Sequence, residues 1–297
     1  MSRSLDRLSP DLQQFLEREL RFRPARVTPI RGGDINEAFR LVNEEGAALF
    51  LKSNRKAPPF LFEREAEGLR WLAETRALRV PEVRGVSVSK GNEGPGWLLL
   101  EWIDSGPRSA RYDDALGRGL AALHSFKGDP PRSLPPNYIG TLPQSNRLRA
   151  TWTEFYAEER LRPLVQMALG RRLAPSRWSA RFERLISALP RLFDSEPHLC
   201  RLHGDLWSGN VLSGSDGEPY LIDPASYLGD REVDLAMMQL FGGFSSRVYA
   251  AYDEALPRAP GAAERVPLYQ LYPLLVHVNL FGGSCVDMVE DALARLP

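Results

Sequence analysis

His203-Gly204-Asp205-Leu206-Trp207-Ser208-Gly209-Asn210, with Ile222-Asp223 following it, sets one carboxylate, one amide oxygen and a second carboxylate along a short piece of chain. Taken alone, Asp205 and Asn210 are turn formers, and Gly209 suits a surface loop. The segments at 211–212 and 220–222 are β-like and flank Gly214 to Gly217, which predicts a hairpin between the amide and the second carboxylate. A loop, a hairpin and an acidic residue beyond it bring three oxygen-bearing side chains to one place.

That layout matches a kinase catalytic loop, in which one carboxylate accepts the proton of the acceptor hydroxyl while the amide and the second carboxylate hold Mg²⁺. Mg²⁺ prefers hard oxygen ligands and keeps much of its water, so two side chains beside the phosphates of ATP suffice. Asp205 is the expected catalytic group, and Asn210 and Asp223 are the expected metal ligands. Upstream, Arg31-Gly32-Gly33-Asp34-Ile35-Asn36 lies between two β segments, where Gly32 and Gly33 let backbone N–H groups approach phosphates. Lys52 ends the apolar run Ala48-Leu49-Phe50-Leu51, the place from which a kinase lysine reaches the phosphates. Its partner is read from periodicity. With Phe62 at zero on a helical wheel, Glu65 falls inside the apolar arc, whereas Glu63 and Glu67 fall outside it. Glu101, Trp102 and Ile103 close the run from Trp97 and are placed where adenine would be held, and Asp234 and His203 are read as structural support for the loop.

Outward from these residues the pattern is that of an α+β, two-lobed protein-kinase-like fold, with a β-rich N-lobe over 1–103 and a mainly helical C-lobe over 104–297. Ser9-Pro10 opens a helix striped by Leu12, Phe15, Leu16 and Leu20. Strand-like segments at 26–31, 36–42 and 47–52 make an antiparallel meander. A helix over 60–74 carries Phe62, Ala66, Leu69, Leu72 and Ala73 on one arc, and two more strands end at Ile103. Asp104-Ser105-Gly106-Pro107 breaks the pattern, and helices follow around Leu116 to Leu123, over 152–167 and over 177–192, with 127–136 as the longest loop.

The composition narrows the partners. The 297 residues, 43% of them hydrophobic, bury a sizeable core. The 38 basic and 38 acidic residues balance, which disfavours nucleic acid and anionic membranes as partners. Two cysteines, Cys200 and Cys285, and a start without an apolar signal stretch predict a thiol-bearing protein of the cytoplasm. His198, Cys200 and His203 present metal-ligating atoms, but no fourth ligand stands near, and a packed structural histidine is the better reading. His124 and His277 are read as packed or surface histidines.

Together these residues resemble the fructosamine kinase (ketosamine-3-kinase) family, a branch of the aminoglycoside phosphotransferase and choline kinase-like group. The resemblance covers nearly the whole chain. It is carried by Gly32 to Asn36, Leu51-Lys52, Phe62 with Glu65, Leu120 to His124, Asn137-Tyr138-Ile139-Gly140, Leu142-Pro143-Gln144 and Asn146. The later half adds His203 to Asn210, Asp223-Pro224-Ala225, the run 227–234, and Leu280 to Gly283. It implies ATP- and Mg²⁺-dependent phosphorylation of the 3-hydroxyl of ketoamines, either small-molecule adducts or glycated lysine on proteins, followed by breakdown to the free amine. Asp34 stands where some relatives carry a cysteine, so a thiol switch in that loop is not expected here. Trp207 offers an indole face on which a sugar ring stacks. The alternatives are a kinase for an aminoglycoside, choline or homoserine, and a nucleotide-binding scaffold without catalysis.

Overall fold

The structure, a computed structural model, describes residues 8–30, 35–88, 96–126 and 134–296. The Gly32-Gly33 turn and most of the 127–136 loop lie outside the described residues. Helix α1 (Pro10–Arg18) starts on proline behind Ser9, whose hydroxyl makes no capping bond, and buries Leu12 and Leu16. Strands β1 (Pro24–Ile30), β2 (Glu37–Asn43) and β3 (Ala48–Asn54) follow as the expected antiparallel meander. Helix α2 (Leu61–Ala73) comes next, then β4 (Val83–Val86) and β5 (Gly96–Glu101). The sheet order is β1-β2-β3-β5-β4, which puts β3 and its Lys52 between two partners.

α1 covers one face of the sheet, where Leu12 and Leu16 meet Phe39, Leu41, Leu51 and Leu99. α2 covers the other, with Phe62, Ala66 and Leu69 on Leu98 and Leu100. Ala73, placed in the same apolar arc by periodicity, is exposed; it is the last residue of α2, where Trp71 and Leu72 take the buried positions.

Beyond β5 the chain is mainly helical. α3 (Tyr112–Ser125) leads to a hairpin of β6 (Asn137–Ile139) and β7 (Leu142–Gln144), turned by Gly140 at φ +60°. The helix expected over 152–167 is three segments: α4 (Trp152–Phe155), a π-helical stretch (Tyr156–Leu161) and α5 (Arg162–Gly170). The wider π turn coincides with Arg160, which is fully buried against the rings of Phe155, Tyr227 and Tyr272. After α6 (Arg177–Ala188) come β8 (Leu199–Leu202), the hairpin β9 (Val211–Ser213) and β10 (Pro219–Leu221), and β11 (Tyr227–Asp230), which pairs antiparallel with β8. Helices α7 (Glu232–Leu240), α8 (Ser246–Ala255), α9 (Ala262–Phe281) and α10 (Val286–Ala294) complete the helical part. Its largest core gathers Trp152, Trp178, Phe182, Tyr269 and Leu275, all buried.

Candidate active site

The β8–β11 pair delivers both halves of the site. Residues 203–210 leave β8, and residues 222–226 enter β11 after the β9–β10 hairpin. The two backbones nearly touch: at Gly204, φ is +83°, and a Cβ there would stand 2.2 Å from the carbonyl oxygen of Ala225. Only glycine fits such an approach at such a φ.

The loop is held from behind by Asp234, in the first turn of α7. Its Oδ2 accepts from the His203 N–H at 2.7 Å and its Oδ1 from the Gly204 N–H at 2.9 Å. His124, on α3, adds a third partner, with Nε2 at 3.3 Å from Oδ2 and Nδ1 at 2.9 Å from the Tyr252 hydroxyl. Asp234 is fully buried, so its charge is compensated by these bonds rather than by water. Asp234→Asn keeps the shape but turns one acceptor into an NH₂ group facing a donor. That change should cost about 3 kcal/mol and lower the Tm by about 6–12 °C. An unchanged calorimetric melting point would mean that the loop is held by something else.

His203 is used on both nitrogens. Its Nε2–H donates to the Ile222 carbonyl at 2.9 Å, and Nδ1 accepts from the Asp205 N–H at 3.3 Å. Burial pulls its pKa down, which keeps the ring in the neutral form that these two bonds require. Cys200 is buried and donates its thiol to the Gly229 carbonyl. Two of the three groups weighed as metal ligands are thus committed to backbone partners, and the third, His198, is exposed.

Asn210 donates from Nδ2 to the Asp205 carbonyl at 2.8 Å and to Asp205 Oδ2 at 3.1 Å, which leaves its Oδ1 as the atom suited to a cation. Lys52 Nζ lies 2.8 Å from Glu65 Oε1 and 2.8 Å from Asp223 Oδ1, so three charged groups from β3, α2 and the segment after β10 converge. Burial pulls the Lys52 ammonium down, but the Asp223 and Glu65 carboxylates more than reverse this and hold its pKa above the usual lysine value. Glu65 is pushed up by burial, against the pull of Lys52. Asp205 is pushed up to about 7, first by burial and then by the Asp223 and Asp234 charges, against the bond from Asn210. A carboxyl titrating near neutrality beside an amide oxygen and a second carboxylate can take a proton from a hydroxyl held next to a cation-binding pair of oxygens.

Glu101 ends β5 and is tied to the residue just before β4: its N–H donates to the Glu82 carbonyl, and its side chain accepts from the Glu82 N–H. Trp102 follows, its indole N–H on Asp104 and its ring beneath the Arg40 guanidinium at 4.5 Å.

Trp207 is 40% exposed and begins an aromatic row. Its ring centroid is 6.4 Å from Phe241; Phe241 is 4.9 Å from His277, and His277 is 5.5 Å from Phe281. His277 Nδ1–H donates to the Pro273 carbonyl at 2.8 Å, so Nε2 is the acceptor side of the ring. In sequence Trp207 stands out, whereas His277 reads as a packed or surface histidine and Phe241 carries no signal of its own. The i, i+4 spacing of His277 and Phe281 on α9 was the available signal.

The family model described as fructosamine kinase matches residues 9–296. The chain belongs to the fructosamine kinase family. Among its relatives, a probable ketoamine kinase of Lactiplantibacillus plantarum is 40% identical, over 89% of this chain and 92% of that protein. A chloroplastic protein-ribulosamine 3-kinase of Oryza sativa subsp. indica is 37% identical, over 91% and 79%. The crystal structure of a putative fructosamine-3-kinase from Thermobifida fusca superimposes with a TM-score of 0.83 at 36% identity, over 92% of this chain and 94% of that one. As a member of this family the chain has the protein-kinase-like fold and is a phosphotransferase acting on a hydroxyl group, drawing on ATP with a divalent metal.

Proposed function

We propose that this kinase phosphorylates the 3-hydroxyl of ketoamines, sugar adducts on small amines or on protein lysines, with Mg²⁺-ATP, and so leads to deglycation. The observation that carries the reading is the Asp205–Asn210 loop, closed by the Lys52–Asp223 contact, in a chain that matches the family over residues 9–296. ATP supplies the phosphoryl group, and Mg²⁺ offsets the charge on its oxygens. Asn210 Oδ1 and the Asp223 carboxylate are the groups that would hold the metal. Lys52, oriented by Glu65, would meet the phosphates, and Gly32 and Gly33 are proposed, from their sequence alone, as backbone facing them. The segment Glu101 to Ile103 holds adenine, with the boundary between lobes at residue 103. Asp205 takes the proton of the acceptor hydroxyl as that oxygen bonds to the γ-phosphorus and the bond to ADP breaks.

The aromatic row supports the choice of acceptor. A ketoamine joins a sugar to a secondary amine that is cationic at neutral pH. Trp207 offers the sugar a flat apolar face, and the Phe241 and Phe281 rings favour a cation. His277 Nε2 is placed to accept from an N–H. A free sugar lacks that second half. The 37% identity to a protein-ribulosamine 3-kinase supports ribulose-type adducts over fructose-type ones. The site of action is the cytoplasm; no helix among the described residues is long and apolar enough to cross a membrane.

The test is kcat/KM for ribulosyl-lysine, fructosyl-lysine, ribulose, choline and kanamycin under one set of conditions. Both ketoamines should exceed the other three by about tenfold or more, because the site loses a cation contact or a stacking partner with each of the others. If choline or kanamycin led, the acceptor would be of the choline or aminoglycoside type instead. If no acceptor were phosphorylated, the chain would be a nucleotide-binding scaffold.

A further inference from the structure

Asp223 has φ +55°, a left-handed conformation that costs a residue with a Cβ about 1–2 kcal/mol. Strain of this kind persists only where the surroundings over-determine the backbone. Here they do so on both sides. Upstream, the Ile222 N–H donates to the Asn210 carbonyl at 3.0 Å, and the Ile222 carbonyl accepts from His203. Downstream, the Ala225 carbonyl accepts from Gln144 Nε2 at 3.0 Å and the Ser226 carbonyl from Asn137 Nδ2 at 2.8 Å. The upstream ties come from the catalytic loop itself; downstream, the Ala225 N–H also donates to the His203 carbonyl at 3.0 Å, while the two carbonyls are held by the β6–β7 hairpin, more than eighty residues away in sequence.

Gln144 and Asn137 are themselves locked. Gln144 Nε2 also donates to Asn137 Oδ1 at 2.7 Å, and Gln144 Oε1 accepts from the Tyr272 hydroxyl at 2.5 Å. Asn137 Oδ1 accepts further from Asn146, whose own Oδ1 takes the Arg160 guanidinium. Both amides are almost fully buried, so their rotamers and donor directions are set by this network and not by water. The same segment is the seat for α2: a Cβ on Gly68 would lie 3.3 Å from Ser226 Oγ and 3.6 Å from Pro224. The hairpin reaches the other lobe as well, where the Tyr138 hydroxyl donates to the Pro59 carbonyl just before α2.

We propose that Gln144 and Asn137 are positioning residues for Asp223. Their amide donors clamp the carbonyls of Ala225 and Ser226, hold Asp223 in its strained conformation, and so aim its carboxylate at Lys52 and at the nucleotide-bound metal. Without the donors, residue 223 relaxes to an ordinary φ and its carboxylate leaves the site. The proposal rests on the kinase reading but not on the identity of the acceptor.

Gln144→Glu is the direct test, because it preserves volume and replaces the donor by an oxygen facing two oxygens. The affinity of the folded protein for the ATP analogue AMP-PNP is measured by calorimetry with Mg²⁺ and, separately, with EDTA. Mg²⁺-dependent affinity should fall about tenfold and metal-free affinity by no more than about threefold, since the metal loses a ligand outright whereas Lys52 loses one of its two carboxylate partners and keeps Glu65. Relative to the wild type at the same pH, the defect should shrink as the pH falls and the new carboxyl regains a proton to donate. Tyr272→Phe loosens Gln144 by one bond without charge and should give about a threefold loss in the same direction. It decides the question if Gln144→Glu does not fold. Equal losses with and without metal, or unchanged Mg²⁺-dependent affinity in either folded variant, would overturn the proposal, as would a wild type whose nucleotide affinity ignores Mg²⁺. Failure of ketoamine turnover leaves these binding constants untouched, so the two readings fail separately.

Discussion

Asp205→Asn should lower kcat by about 10²–10⁴-fold while leaving nucleotide affinity within about twofold of wild type, since the lost proton acceptor faces the incoming hydroxyl rather than the phosphates. The substitution is nearly isosteric, and an asparagine oxygen still accepts from Asn210 Nδ2, which now reaches Asp205 Oδ2 at 3.1 Å. Loop geometry is therefore preserved and the loss is chemical. Because burial and the neighbouring carboxylates push the Asp205 carboxyl up to about 7, wild-type turnover should rise with pH through the neutral range as the basic form appears. The same shift has a stability consequence of opposite sense. A carboxyl whose folded pKa is raised from 3.8 to about 7 contributes stability below pH 3.8 and loses it progressively as the pH climbs to about 7. The asparagine variant carries no such burden. Its Tm should match the wild type near pH 4 and exceed it by a growing margin up to pH 7. A variant with near wild-type turnover would remove Asp205 from the proton-transfer role, and a Tm difference that did not vary with pH would remove the buried-charge account.

Asp223→Ala should weaken both Mg²⁺-nucleotide binding and turnover, the second by about 10²-fold or more, because one carboxylate serves the metal and orients the lysine. In the wild type, Lys52 is shared between Glu65 and Asp223 at 2.8 Å each. Without Asp223 the ammonium swings wholly to Glu65 and away from the place where phosphates are held. The phenotype differs from that of Asp205→Asn in the binding term, which calorimetry with Mg²⁺ and AMP-PNP reads directly. Asp223→Asn is the control for backbone strain, because asparagine tolerates the left-handed φ of +55° about as well as aspartate. If the asparagine variant bound Mg²⁺-nucleotide like the wild type, the charge of Asp223 would not be what holds the metal, and geometry alone would account for its place.

Much of this site is written in local patterns. Lys52 follows from an apolar strand that ends on a cation, and Glu65, rather than Glu63 or Glu67, follows from the helical period of α2; the structure brings these two within 2.8 Å. The meander, the β9–β10 hairpin and the loop from His203 to Asn210 follow from turn residues and alternation, since each is decided by neighbours a few residues apart. Periodicity reached less far at ends and irregular turns. It put Ala73 in the buried arc and ran one helix through the π segment around Arg160, because neither a helix terminus nor an extra residue in a turn alters the spacing of apolar side chains.

What only the tertiary structure decided are pairings across long stretches of chain. The Lys52–Asp223 contact spans 171 residues, the His124–Asp234 contact 110, and the Gln144–Ala225 contact 81. Sequence alone marked Asn137, Gln144 and His124 as part of a family pattern without saying what they touch. A buried amide or imidazole is chosen for the donor or acceptor that faces it, and that partner exists only once strands and helices have packed. The row of Trp207, Phe241, His277 and Phe281 has the same origin. Three separate elements each contribute aromatic rings to one face beside the catalytic loop, and no periodicity within one of them records the others.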